Sequence, residues 1–68
     1  MNPEEMQKVM LAIKYLKNRG SFLISFAECW FSADKDNRLL LLPVAEELYK
    51  KYRLHVDLEI AIERGYFN

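Results

Sequence analysis

Met6, Val9, Met10, Ile13 and Leu16 recur at three- and four-residue spacing. That spacing lays them along one face of a helix. The flanking residues agree. Asn2 is a good N-cap, Pro3 suits the first helical position, and Glu5 falls where a capping box places its carboxylate. Glu4 and Glu5 complement the positive end of the helix dipole, while Lys14, Lys17 and Arg19 complement the negative end. Gly20 offers a stop. The pattern predicts a helix from Pro3 to about Asn18.

From Ser21 to Ala33 the pattern is less selective. Wound as a helix, Phe22, Phe26, Cys29, Trp30 and Ala33 share one stripe, and Leu23, Ile24, Ala27 and Phe31 fill the remaining faces. Such a segment is expected to be central and buried. Ser25 and Glu28 match an internal capping signal that permits a later start. A strand would give poor alternation, so helix is favoured. Asp34-Lys35-Asp36-Asn37 is the clear break, with Asp34 as N-cap of a following helix from Lys35 to Tyr52. Leu41, Ala45, Leu48 and Tyr52 form its stripe. Pro43 interrupts it: a proline in a helix interior removes an N–H, crowds the carbonyl of Leu39 and costs about 3 kcal/mol. Either the helix kinks, or Arg38–Leu42 is a separate element, a candidate strand, and Pro43 begins a new helix.

The tail carries two periods at once. Leu54, Val56, Leu58, Ile60 and Ile62 alternate with His55, Asp57, Glu59, Ala61 and Glu63, as in a strand. Leu54, Leu58, Ala61 and Ile62 also stand at helical spacing, with Asp57 as a possible N-cap and Gly65 as the stop. Helix is preferred here. The expected fold is all-α, a compact bundle of three or four helices forming a single small domain over residues 1–68. The alternative is α+β in the order α-β-β-α-β.

Size now changes the picture. Half of the 68 residues are hydrophobic, and many are large. A folded chain this small exposes about 4,500 Å² and buries about 60% of its unfolded surface. It therefore runs short of interior, and part of the apolar set is expected to meet a partner or a second copy. Lysine plus arginine equals aspartate plus glutamate at 10 each, so the basic excess that usually marks a nucleic-acid binder is missing. The single cysteine, Cys29, excludes an internal disulfide and suggests a reducing, cytoplasmic setting. No secretory leader is expected from the opening residues, and no apolar run approaches the roughly 20 residues of a membrane span.

Catalytic and metal chemistry find little support. A zinc site needs about four ligands, and Cys29 and His55 stand alone as soft donors. Cys29 reads as a small core hydrophobe and His55 as a surface or boundary residue. Glu46 with Lys50, and Glu47 with Lys51, read as ion pairs one helical turn apart. Two glycines cannot build a phosphate-cradling loop. No enzyme activity, cofactor or metal is expected.

Val44 to Tyr52, a turn at Arg53–Val56 and Asp57 to Arg64 resemble in rhythm a helix-turn-helix, with Ala45 packing early in the first helix. The resemblance, over residues 44–65, implies a DNA-binding regulator with Lys50, Lys51 and Arg53 as possible nucleic-acid contacts. The turn departs from the pattern in lacking glycine. The would-be reading helix departs from it by carrying Asp57, Glu59 and Glu63 against a single Arg64.

The four consecutive leucines Leu39–Leu42 cannot all point inward from one element. Some must emerge, and beside Trp30 or Phe31 they would build an apolar interface patch. The leading expectation is a small accessory protein, of the kind phage and mobile elements carry. It would bind a protein partner or form a homo-oligomer, most simply a dimer. The expected contacts are Trp30, Phe31, Leu39, Leu40 and Leu42, with Lys50 and Arg53 at the rim.

Overall fold

A computed structural model describes residues 1–67. They form α1 (Pro3–Leu16), α2 (Ser21–Ser32), α3 (Lys35–Tyr52) and α4 (His55–Glu63), with no strand among the described residues. The all-α expectation holds, and both candidate strands are helical. No helix among these is long and apolar enough to cross a membrane.

The architecture is organised around α1. It packs against each of the other three helices, which approach one another only at isolated points. Its expected stripe supplies the centre of the core: Met6, Val9, Met10 and Ile13 are fully buried, joined by Ala12. The Asn2 carboxamide oxygen accepts from the Glu5 N–H at 2.8 Å, as its N-cap position implies. The helix ends at Leu16, slightly before the predicted boundary, because Lys17 turns into the left-handed region at φ 54°. Gly20 is not the stop of α1 but the residue that opens α2. Its φ 83°, ψ 174° belongs to a region that only glycine enters readily. A side chain there would meet nothing within 4 Å, so the requirement lies in the backbone and not in the space around it.

In α2 the buried residues are Leu23, Ala27 and Trp30. The helix is therefore rotated from the expected stripe. Trp30 stays inside, whereas Phe22 is 59% exposed and Cys29, read as a core residue, is also exposed. Ser21, Ser25, Glu28 and Ser32 recur at four-, three- and four-residue spacing and are all exposed, so a polar stripe opposite Leu23, Ala27 and Trp30 marks the outer face that the distribution of large apolar residues did not reveal. α1 packs on the face opposite that stripe.

Asp34 caps α3 by accepting from the Asn37 N–H at 2.9 Å. Pro43 lies within this helix without ending it. Pro43 and Leu39 are both on the exposed side, where water can reach the carbonyl that proline leaves without a donor. The inner side supplies the continuity: Ala45 is buried, and Leu41, Leu42, Leu48, Tyr49 and Tyr52 pack on the core. Arg53, at φ 54°, turns the chain from α3 to α4. The Leu54 N–H reaches back to the Tyr49 carbonyl at 3.0 Å and the Arg53 N–H to that of Lys50 at 3.4 Å, a Schellman closure without its usual glycine. Leu54 is carried directly into the core. The same closure recurs at Gly65, the predicted stop, with Tyr66 donating to Ala61 and Gly65 to Ile62, both at 3.0 Å.

Two side-chain arrangements hold the bundle together. Asp57, expected as an N-cap, lies inside the first turn of α4 and is almost wholly buried. Arg19, from the α1–α2 connection, grips it with both forks: Nη2 to Oδ1 at 2.7 Å and Nε to each carboxylate oxygen at 3.0 Å. These hydrogen bonds, more than they are opposed by burial, raise the Arg19 pKa above its ordinary value. The guanidinium therefore keeps its proton, and its own contribution to stability is lost only as pH rises through that raised value. Arg38 performs the second tie. Its Nε donates to the Trp30 carbonyl at 2.9 Å and Nη2 to that of Phe31 at 3.4 Å, satisfying the end of α2, while Nη1 reaches Gln7 of α1 at 3.2 Å.

Candidate interaction surface

The accessible surface is 4544 Å², close to the value expected for the chain length. The shortage of interior shows on the outer sides of α2 and α3. Leu40 is 75% exposed, Val44 51% and Leu39 50%, all between the fifth and tenth residues of α3. Pro43 is exposed between them. The helix turns its polar-free middle outward because Leu41, Leu42, Ala45 and Leu48 already occupy its inner side.

Leu39 and Leu40 form a ridge between two hollows. On one side lies a cleft of about 390 Å³, lined by Pro3, Gln7, Asp34, Arg38 and Leu39 among others. On the other lies a more apolar groove of about 400 Å³ between α2 and α3, lined by Cys29, Ser32, Ala33, Asn37, Leu40 and Leu41. This groove lies where α2 and α3, joined by only two residues, each pack mainly on α1 and meet each other chiefly through Arg38.

The expected contact residues separate accordingly. Leu39 and Leu40 are on the surface together. Leu42 is half-buried against the core. Phe31 is also half-buried, its ring flanked by the Lys14 ammonium at 5.2 Å and the Arg38 guanidinium at 5.8 Å. Trp30 is fully buried and leaves the surface set altogether: with Leu23 and Ala27 it forms the face that α2 turns toward the core. Sequence reasoning did not place Phe22 and Val44 on the surface, although a residue four after Leu40 on the same helix face was there to be counted.

Lys50, Lys51 and Arg53 are exposed at the C-terminal end of α3. Lys51 extends over the Tyr52 ring, 5.4 Å from its centroid. The predicted pairs with Glu46 and Glu47 do not form. Glu46 instead accepts from the amino group of Met1 at 3.3 Å, and the other ion pair among the described residues is Arg19–Asp57. The exposed residues of α4 include Glu59 and Glu63 beside Val56 and Ile62, and Arg64 is exposed at its C-cap. Among the described residues no three histidine, cysteine or carboxylate side chains gather as a metal site requires.

The fold and this surface define a small four-helix all-α protein with an apolar outer face. No protein-family model, curated protein or solved structure matches the chain.

Proposed function

We propose that this is a small non-catalytic interaction protein that associates through the apolar outer side of α3. Leu39 and Leu40 form its centre, Val44 extends it, and Phe31 and Leu42 support it from the core side. Lys50 and Arg53 stand at the rim. The observation that carries the reading is the joint exposure of Leu39, Leu40 and Val44 on the longest helix, whereas Phe22 and Ile62 are exposed on other helices. Contiguous apolar surface of this kind on a soluble domain marks a site to be covered, and desolvated anchors at the centre of such a site supply most of the binding energy. An exposed free thiol suits a reducing compartment, in keeping with a cytoplasmic protein.

The test is sedimentation over a wide concentration range, together with binding of an environment-sensitive apolar dye. The reading expects concentration-dependent association, or dye binding that Leu40→Lys abolishes. A strict monomer that binds no dye overturns it. DNA binding through Lys50, Lys51 and Arg53 is the second reading, favoured by their common exposure. It is opposed by the acidic residues on the outside of α4, since carboxylates repel phosphate. It predicts retention of mixed duplex DNA at low salt that falls steeply as salt rises, and absence of retention removes it.

A further inference from the structure

The outer side of α3 has a regular composition. Asp36, Leu40, Pro43, Glu47 and Lys51 are separated by four, three, four and four residues, and Val44 lies beside Pro43. All six are exposed. This is a near-heptad seam, the spacing with which one helix packs along another. It runs most of the length of an 18-residue helix, about 27 Å at 1.5 Å per residue. Its ends carry opposite charges, Asp36 toward the N-terminus and Lys51 toward the C-terminus, with Leu40, Pro43 and Val44 between them and Glu47 one turn before Lys51.

We propose, resting on the reading of this face as an interaction surface, that its occupant is the same helix of a second copy, packed antiparallel about a two-fold axis at Pro43 and Val44. Charge complementarity selects this partner. A two-fold axis at that point sets Asp36 level with Lys51 of the second copy and Lys51 level with its Asp36. Leu40 lies on the aliphatic stem of Glu47 of the second copy, and Val44 lies level with Pro43 of the second copy at the axis. The macrodipoles oppose, as antiparallel helices require. A parallel pairing would set Asp36 against Asp36 and Lys51 against Lys51. Neither residue makes an ion pair among the described residues, and Lys51 rests only over the Tyr52 ring. The formal net charge of zero adds no long-range repulsion between copies. The contact is isologous and closes as a dimer. One helix pair buries less than the roughly 1,200 Å² of a standard interface, so the dimer is a weak one, dissociating in the micromolar range.

Charge exchange tests this directly. Asp36→Lys alone gives each homodimer lysine against lysine at both ends, and Lys51→Glu alone gives carboxylate against carboxylate. Each variant is expected to dimerise about tenfold more weakly than the parent, with the loss growing at low salt. An equimolar mixture of the two variants is expected to recover parental dimerisation, because the heterodimer is complementary at both ends. Circular dichroism of each variant confirms that the helices are intact, and recovery on mixing is itself proof that both chains fold. A dimer that ignores both charge variants but dissociates with Leu40→Lys overturns the antiparallel register and leaves the interaction reading standing. A strict monomer that still binds apolar dye at Leu40 overturns the second copy as occupant and again leaves that reading standing. A monomer that binds no dye removes both.

Discussion

α1 and α3 are both amphipathic by sequence, both opened by a side-chain cap and both long, yet they live in different surroundings. α1 sinks five residues completely, from Met6 to Ile13, and touches every other helix. α3 is longer by four residues but fully buries only Ala45. Spacing shows that a helix has an inner face, but how deeply that face sinks depends on how many neighbours converge on it. In this molecule three helices converge on α1, while α3 has only α1 beneath it. Stability should therefore reside in α1 and its ties, and association in α3.

That contrast can be broken or sharpened by substitution, read by urea denaturation. Ile13→Ala opens a cavity at the convergence point and is expected to cost about 2–5 kcal/mol. Arg19→Ala strips Asp57 of its bidentate partner and leaves a buried carboxylate alone, with an expected loss of about 2–3 kcal/mol. A loss no larger than that of an exposed arginine would mean that Asp57 finds water or another donor. Gly20→Ala meets no obstacle in space yet forces alanine into a glycine-only conformation. It should cost about 1–3 kcal/mol, and a neutral result would show that the α1–α2 connection can rearrange. Arg53→Gly has the opposite sign, because it relieves a left-handed arginine at the α3–α4 turn; a gain of about 1 kcal/mol is expected. Leu40→Ala, on the outer side of α3, should stay within about 0.5 kcal/mol for the monomer. A large effect there at low protein concentration would contradict the division between the two helices.

Much of the fold was legible because local chemistry and periodicity pointed the same way. Asn2 and Asp34 cap where their side chains suggest, Gly65 closes α4, and the stripes of α1 and of Leu41, Ala45, Leu48 and Tyr52 face inward. Legibility failed in α2 because the large apolar residues were followed instead of the polar ones. Ser21, Ser25, Glu28 and Ser32 stand on one stripe, and the buried Leu23, Ala27 and Trp30 lie opposite it, which leaves Phe22 and Cys29 outside. Pro43 suggested a break, but its position on the solvent side lets the helix continue. The Arg19–Asp57 grip was hidden for a different reason: it joins residues 38 positions apart, and each had a plausible local role as a dipole or cap residue. Of the candidate surface, the emergence of leucines from Leu39–Leu42 could be argued from geometry. Which leucines emerge, and that Val44 joins them, depended on the rotation of α3 about its own axis.

Trp30 is the sole tryptophan, and its indole N–H is buried with no hydrogen-bond acceptor among the described residues. The residue belongs to the core cluster with Met6, Val9, Met10, Ile13 and Leu23. Its fluorescence should therefore emit toward the blue end of the indole range and move red when the core opens. Because no second indole contributes, that single colour change reports the integrity of the α1–α2 contact. Events confined to the outside of α3 should leave it dark to them, giving an optical means of telling assembly from unfolding.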